Sequence, residues 1–284
     1  MAEEVARQRV GVVGAGMMGR EIAFVFALAG HDVLLTDADR AVLDAAMAHN
    51  RDLLASGRFG AADLANLTPV TDLSGFGDRT LVIEAVFEDA EIKGEVLGDV
   101  DRTCPADCII ASNTSSIPIT TLAQSLGAVR RSRFLGMHFS SPVSRMEFLE
   151  LIRGPETADA AMDFAAAVGR DVGKAPTRSA DVPGFASNRL LFALLTEAIR
   201  LVEEGVATPE DIDATCRLAL GHPVGPFRLM DRISNTLVRD VQRILTDAYG
   251  ARYETGAALD ELIARGHTGR KAGRGWHRYG GVTS

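Results

Sequence analysis

Residues 9–28 read RVGVVGAGMMGREIAFVFAL: an apolar run, a glycine turn through Gly14, Gly16, Met17, Met18 and Gly19, and then a stretch apolar enough for a buried helix. Between a strand and a helix each glycine has a task. One makes the tight turn, one lets backbone approach a pyrophosphate, and one lets helix pack on strand, with the phosphate charge at the helix N-terminus. The same pattern alone would also serve as a packing turn. Asp37 adds the decisive residue, because it ends the next apolar run 18 residues after Gly19, where a carboxylate can bond both ribose hydroxyls. An acid there repels a 2′-phosphate, so NAD is the expected cofactor; Arg40 is the nearby feature that would favour NADP.

Outward from this stretch the first 180 residues alternate short apolar runs with amphipathic ones. Strands are expected at Arg9 to Val13, Asp32 to Thr36, Thr80 to Val86, Cys108 to Ala111, Phe134 to Phe139 and Phe148 to Ile152. Helices are expected at Met17 to Ala29 and Arg40 to Ser56, and from Ala90 and Thr157. Such interleaving is the pattern of an α/β fold with a Rossmann-type, doubly wound, mostly parallel sheet. After Lys174 no strand-like run is evident, and the polar segment KAPTRSADVPGF leads into helical patterning. Leu190 to Val202 is apolar nearly all round, and Thr208, Pro209, Glu210 and Asp211 form a helix start, with Gly221 and Pro223 closing that helix. We therefore expect an NAD-binding domain over residues 1–181 and an all-helical domain over 182–284 that serves substrate and dimerisation.

Composition narrows the class. The chain has 284 residues, 46% apolar and 24% charged, enough for two domains with full cores. Its longest apolar run, Ile22 to Gly30, is far below the roughly 18 residues of a membrane span, and its start carries acidic residues and no leader-like stretch. A net charge of −8 without a basic stripe points away from nucleic acid. Cys104, Cys108 and Cys216 lack the spacing of a zinc site and read as reduced, so the expectation is a cytoplasmic protein with no metal and no membrane or nucleic-acid partner. Of the 30 Lys and Arg residues only Lys93, Lys174 and Lys271 are lysine. Where Arg has replaced Lys almost everywhere, a retained Lys suggests a role that a guanidinium cannot fill.

Oxidation of an alcohol needs a base for the hydroxyl proton. Among six histidines only His138 stands at the end of an apolar strand, where ligands of open α/β sheets bind; His31, His49, His222, His267 and His277 read as turn, helix-surface or tail residues. The following segment, SSPVSRMEFLEL, turns at a proline and returns with Glu147 and Glu150, which face opposite sides of a strand, so one of them can sit beside the histidine. Spacing does not choose between them. Ser112 to Ser116 follows another strand end and suits either a substrate site or the cap of a helix from Pro118. Asn188 suits either the substrate or a helix start. No tyrosine has a lysine four residues on, which removes the Tyr/Lys short-chain reductases.

The motifs GVVGAGMMGREIA, VIEAVFEDAEIK, ASNTSS, GMHFSSPV, DVPGFASNRLL, GHPVGPF and GRKAGRGWHRY, in this order over essentially the whole chain, resemble the soluble two-domain 3-hydroxyacyl-CoA dehydrogenases, including the 3-hydroxybutyryl-CoA type. The resemblance implies NAD-dependent oxidation of a 3-hydroxyacyl thioester, with His138 as acid/base, Glu150 rather than Glu147 as its partner, and Ser115 and Asn188 at the substrate. It implies cofactor contacts for Ser115, Ser141, Glu88, Lys93 and Lys271, and an acyl thioester of CoA or acyl carrier protein as substrate; a homodimer is expected from the helix apolar on all faces, the other reading of that helix being the centre of a monomer. Lys174 gains no role from it, although a catalytic lysine of another hydroxyacid dehydrogenase class would have to be this one.

The chain departs from the family where HFFNP is usual: here His138-Phe139-Ser140-Ser141-Pro142 replaces a ring and an amide by two hydroxyls. A second departure is DRISNT after GPFRLM. The first change suggests a smaller, more hydroxylated acyl group. It resembles the branch that makes hydroxymalonyl-type polyketide extender units, where the substrate is a 2,3-dihydroxypropionyl thioester on a carrier protein. Arg51 and Arg58 are candidates for the thioester arm or for plain solvated surface. A non-catalytic NAD-binding sensor or structural protein is the alternative outside enzymes.

Overall fold

Short apolar runs with amphipathic stretches between them have one economical solution, a central sheet sandwiched by helices. The computed structural model describes residues 6–59 and 63–280. Residues 1–5, on which part of the expected absence of a leader rests, lie outside them. The chain divides into two compact units, Met1–Val182 and Pro183–Ser284.

In the first unit the elements run β1 (Arg9–Val13), α1 (Met17–Leu28), β2 (Asp32–Thr36), α2 (Arg40–Ala55), β3 (Leu67–Val70), β4 (Leu81–Glu84), α3 (Ala90–Thr103) and β5 (Ile109–Ser112). They continue with α4 (Ile119–Leu122), α5 (Ala128–Arg131), β6 (Phe134–Phe139), β7 (Phe148–Arg153), α6 (Asp159–Asp171) and β8 (Ala175–Ala180). The sheet has eight strands in the order β3-β2-β1-β4-β5-β6-β7-β8. All neighbours are parallel except β6 and β7, which run antiparallel. The expected doubly wound sheet is therefore present, and its order reverses between β1 and β4, the position where such sheets open a ligand crevice. The core below it is aliphatic and aromatic, with Val10, Val12, Phe24, Phe26, Leu35 and Ile83 buried.

Two strands were not legible. β3 carries Pro69 and stands at one edge, and β8, APTRSA, is a largely exposed edge strand without apolar alternation. The expectation of no strand beyond Lys174 is thus corrected: Ala175–Ala180 pairs in parallel with β7. An edge strand needs burial on fewer sides, so its sequence is free of the apolar pattern.

The second unit is helical: α7 (Ser187–Glu203), α8 (Pro209–Leu218), α9 (Pro226–Ile233), α10 (Asn235–Tyr249) and α11 (Ala258–Ala264). Phe192, Leu195, Ile199, Phe227, Met230 and Leu245 form its core. α7 is more one-sided than its sequence suggests, since Leu190 is 75% exposed while Phe192, Leu195 and Ile199 are buried. Thr208 caps α8 by accepting from Asp211 N at 3.2 Å, as its sequence predicts. That helix ends at Leu218, before Gly221. Among the described residues no helix is long and apolar enough to cross a membrane.

The segment DRISNT has a structural role through its first residue. Asp231 is buried and accepts from Asn235 Nδ2 (2.9 Å), Trp276 N (2.9 Å), His277 N (3.0 Å) and Tyr279 OH (3.0 Å), fastening the chain end to α9. His277, expected on the tail surface, is instead buried with Nε2 2.8 Å from Asp213 Oδ2. His31 is likewise buried: its Nδ1 accepts from Gln8 N at 3.2 Å, and burial pushes it below the usual histidine range despite Asp171 nearby.

Candidate active site

The turn between β1 and α1 is closed by backbone. Gly14, at φ 98°, donates to Thr36 O at 2.8 Å, and a Cβ on Gly19 would stand 1.7 Å from Gly14 O. A Cβ on Gly16 would meet nothing within 4 Å, because that glycine faces a cavity of about 650 Å³. Gly14, Gly16, Met17, Met18, Asp37 and Val86 are among its lining. α1 begins at this wall with no side-chain cap, so its first N–H groups are left for an anion. Asp37, just beyond β2, accepts from Ala15 N (2.9 Å) and Asp39 N (3.0 Å), which fixes its carboxylate at the cavity wall. Arg40 pairs with Asp44 at 3.0 Å on the exposed face of α2. Open helix N-terminus, glycine cradle and fixed carboxylate together fit a dinucleotide whose ribose carries free hydroxyls.

Next to it the ends of β4 and β5 carry a buried charge network. Glu84 is fully buried and Lys93, one turn into α3, is 1% exposed; Lys93 Nζ lies 2.7 Å from Glu84 Oε1 and 3.3 Å from Glu88 Oε2. Ser112 Oγ donates to Glu84 Oε2 at 2.5 Å. Burial raises the Glu84 carboxyl above its ordinary range against the opposing pull of Lys93. Glu88 lies lower than usual: burial pushes it up, but Lys93 and hydrogen bonds from the 114–116 loop outweigh that. Its Oε1 accepts from Thr114 Oγ1 (2.7 Å), Ser115 N (2.8 Å) and Ser116 N (2.9 Å). The loop bearing Ser115 is therefore wrapped around Glu88. It does not cap the next helix. That is done by Asp181, which accepts from Ile119 N (2.9 Å) and Thr120 N (2.6 Å).

His138 and Glu150 face each other in the antiparallel register of β6 and β7, with Nδ1 3.3 Å from Oε2. Glu150 is fully buried and His138 is 14% exposed. Glu147 precedes β7 and is exposed, so the antiparallel register with β6 selects Glu150. Asn113, which follows β5, accepts from Phe139 N at 3.0 Å and ties the neighbouring strand ends together. Beyond His138, Ser140 is half-buried and Ser141, in a cis peptide with Pro142, is exposed.

His138, Glu150, Ser115, Ser141, Glu88, Lys93 and the glycine turn all belong to the first unit, at the carboxyl ends of β1, β4, β5 and β6 or in the segments that follow them. Asn188 and Lys271 belong to the second: Asn188 is half-buried in the first turn of α7 and Lys271 is exposed in the short helical turn Arg270–Ala272. Glu84 and Asp181 were not singled out by sequence, and Ser112 and Asn113 only as members of the Ser112 to Ser116 cluster. An acid ending a strand, opposite a lysine nine residues on, was the available signal for Glu84. Among the described residues no group of three or more His, Cys, Asp or Glu is placed to hold a metal ion.

Comparison with known proteins gives the family. Residues 9–182 match the family model for the 3-hydroxyacyl-CoA dehydrogenase NAD binding domain, and residues 184–279 match the model for its C-terminal domain. A probable 3-hydroxybutyryl-CoA dehydrogenase of Deinococcus radiodurans is 38% identical over 95% of this chain and 100% of its own. A 3-hydroxybutyryl-CoA dehydrogenase of Mycobacterium tuberculosis is 39% identical over 96% and 99%. The crystal structure of (S)-3-hydroxybutyryl-CoA dehydrogenase from Ralstonia eutropha superposes with a TM-score of 0.91 at 35% identity, covering 96% of this chain and 100% of that one. The chain belongs to the 3-hydroxyacyl-CoA dehydrogenase family of NAD-dependent oxidoreductases.

Proposed function

We propose that the protein interconverts a 3-hydroxyacyl-CoA of the 3-hydroxybutyryl class and its 3-oxoacyl thioester. The observation that carries this reading is the His138–Glu150 pair at the carboxyl end of β6, in the sheet whose β1–α1 turn forms the dinucleotide cradle. Glu150 is too buried to meet substrate. Its carboxylate instead keeps the imidazole proton on Nδ1, leaving Nε2 as the acceptor for the 3-hydroxyl proton, and it stabilises the imidazolium that results. NAD, when bound, supplies the acceptor for the hydride leaving C3. The residues that would hold it are the glycine turn, Met17, Met18 and Asp37, with the Glu88–Lys93 pair, Ser141 and Lys271 as further contacts suggested by the resemblance. Ser115, held by Glu88, donates toward the C3 oxygen, and Asn188 orients the thioester end. In the reverse direction the protonated His138 returns its proton to that oxygen.

NADH formation from NAD and 3-hydroxybutyryl-CoA tests the activity. Turnover supports the reading; NAD binding with no turnover of any 3-hydroxyacyl thioester contradicts it and favours a sensor. The second reading, a 2,3-dihydroxypropionyl thioester on acyl carrier protein, rests on Ser140 and Ser141, which offer hydroxyls two and three residues beyond His138. A higher kcat/KM for the carrier-bound glyceryl group than for 3-hydroxybutyryl-CoA would establish it. The proposal includes a homodimer, for which the exposed Leu190, Leu218 and Leu220 of the second unit provide apolar surface. A monomer mass by light scattering would contradict that part.

A further inference from the structure

Lys174 stands immediately before β8, and its ammonium points back under the segment that joins His138 to Glu150. Nζ donates to Val143 O at 2.6 Å and to Met146 O at 3.0 Å, and the side chain is 9% exposed. The same segment is held from α1, where Glu21 Oε2 accepts from Ser144 N at 2.9 Å, and by Val143, which is buried in the core.

The need for such anchors follows from the hairpin. A two-residue turn fixes the register of the strands it joins, but residues 140–147, which connect β6 to β7, are far too long for that. A slip of one residue would turn Glu150 to the other face, and a slip of two would put Phe148 or Ile152 opposite His138. The carbonyl of buried Val143 also needs a donor away from water, since a buried carbonyl without one is costly. A single nitrogen meeting two convergent carbonyls suits the compact ammonium of lysine better than a planar guanidinium. Burial lowers the Lys174 amine, while the carboxylates of Glu147 and Glu21 raise it.

We propose that Lys174 is a positioning residue for the acid–base pair: by clamping the carbonyls of Val143 and Met146 it holds the long connection so that Glu150 stays in register with His138. This rests on the reading of His138 and Glu150 given above.

The test uses purified full-length Lys174→Met, Lys174→Arg and His138→Ala with 3-hydroxybutyryl-CoA, kcat being expressed per NAD-binding site. The proposal expects kcat per site to fall about tenfold or more in Lys174→Met and by less in Lys174→Arg, with NAD affinity and KM for the thioester within about twofold of wild type, since small misplacements of catalytic groups cost rate. A purely structural lysine would reduce folded protein and leave kcat per site unchanged. Where Lys174→Met does not fold, Lys174→Arg decides: lowered kcat per site supports the clamp, and wild-type kcat overturns it. Loss of turnover in His138→Ala with wild-type kcat in the folded Lys174 variants overturns the positioning role alone. Turnover persisting in His138→Ala overturns the acid–base reading and the clamp with it.

Discussion

His138 and Glu150 are register partners on adjacent antiparallel strands, their Nδ1 and Oε2 3.3 Å apart, in a sheet otherwise parallel throughout. The one antiparallel pairing brings the amino end of β7, with its buried acid, to the carboxyl end of β6. Glu150→Gln keeps the shape and removes the charge that supports an imidazolium. Turnover is expected to fall roughly 10²-fold or more, within the range attributed to general acid–base groups, with NAD affinity unchanged. Steady-state kinetics beside a NAD titration checks this; unchanged kcat would remove Glu150 from the mechanism.

Two glycines of the same turn should behave differently. At Gly19 a Cβ would overlap Gly14 O, whereas at Gly16 it would enter only the cavity. Gly19→Ala is expected to lower thermal stability clearly and Gly16→Ala to leave it near wild type while weakening NAD binding about tenfold or more. Thermal melts and NAD titrations of both variants measure the contrast, and equal melting temperatures would contradict it.

Asp37 should set cofactor choice. Replacing it by alanine removes the acceptor for the ribose hydroxyls and the charge that repels a 2′-phosphate. The expected result is weaker NAD binding and a smaller NAD/NADP preference, read from the two dissociation constants. An unchanged ratio would place discrimination elsewhere.

Lys93→Met would leave Glu84 buried without its countercharge, a change that typically costs about 3–5 kcal/mol. Its pH dependence has a definite sign. Glu84 titrates above its unfolded value of about 4.3, so the native state holds the extra proton there and stability falls as pH rises through the native value. Without Lys93 that value rises further. Urea unfolding should therefore show the variant losing more stability than wild type as pH rises above that unfolded value. Parallel losses in both proteins would count against the pair.

The glycine turn, Asp37 and strands β1, β2, β4, β5 and β6 were readable because buried parallel strands write continuous apolar runs and phosphate turns demand glycine. β8 was not, since Thr177 to Ala180 on an exposed edge carry no such pattern. Glu150 could be narrowed only to a pair by strand period; the antiparallel register then separates it from Glu147. Of the two readings of the serine cluster, capping falls away because Asp181, 62 residues from Ile119 along the chain, supplies the carboxylate. Lys174 stood out by rarity alone. A side chain that serves main-chain carbonyls far along the sequence leaves no local motif.

The central claim is that His138 moves the proton while NAD is held independently of it. NADH formation from 3-hydroxybutyryl-CoA at saturating NAD, wild type against His138→Ala, tests it most directly. The account predicts a loss of about 10²- to 10⁴-fold in kcat with the NAD dissociation constant unchanged within about twofold. A His138→Ala enzyme turning over at the wild-type rate would contradict it.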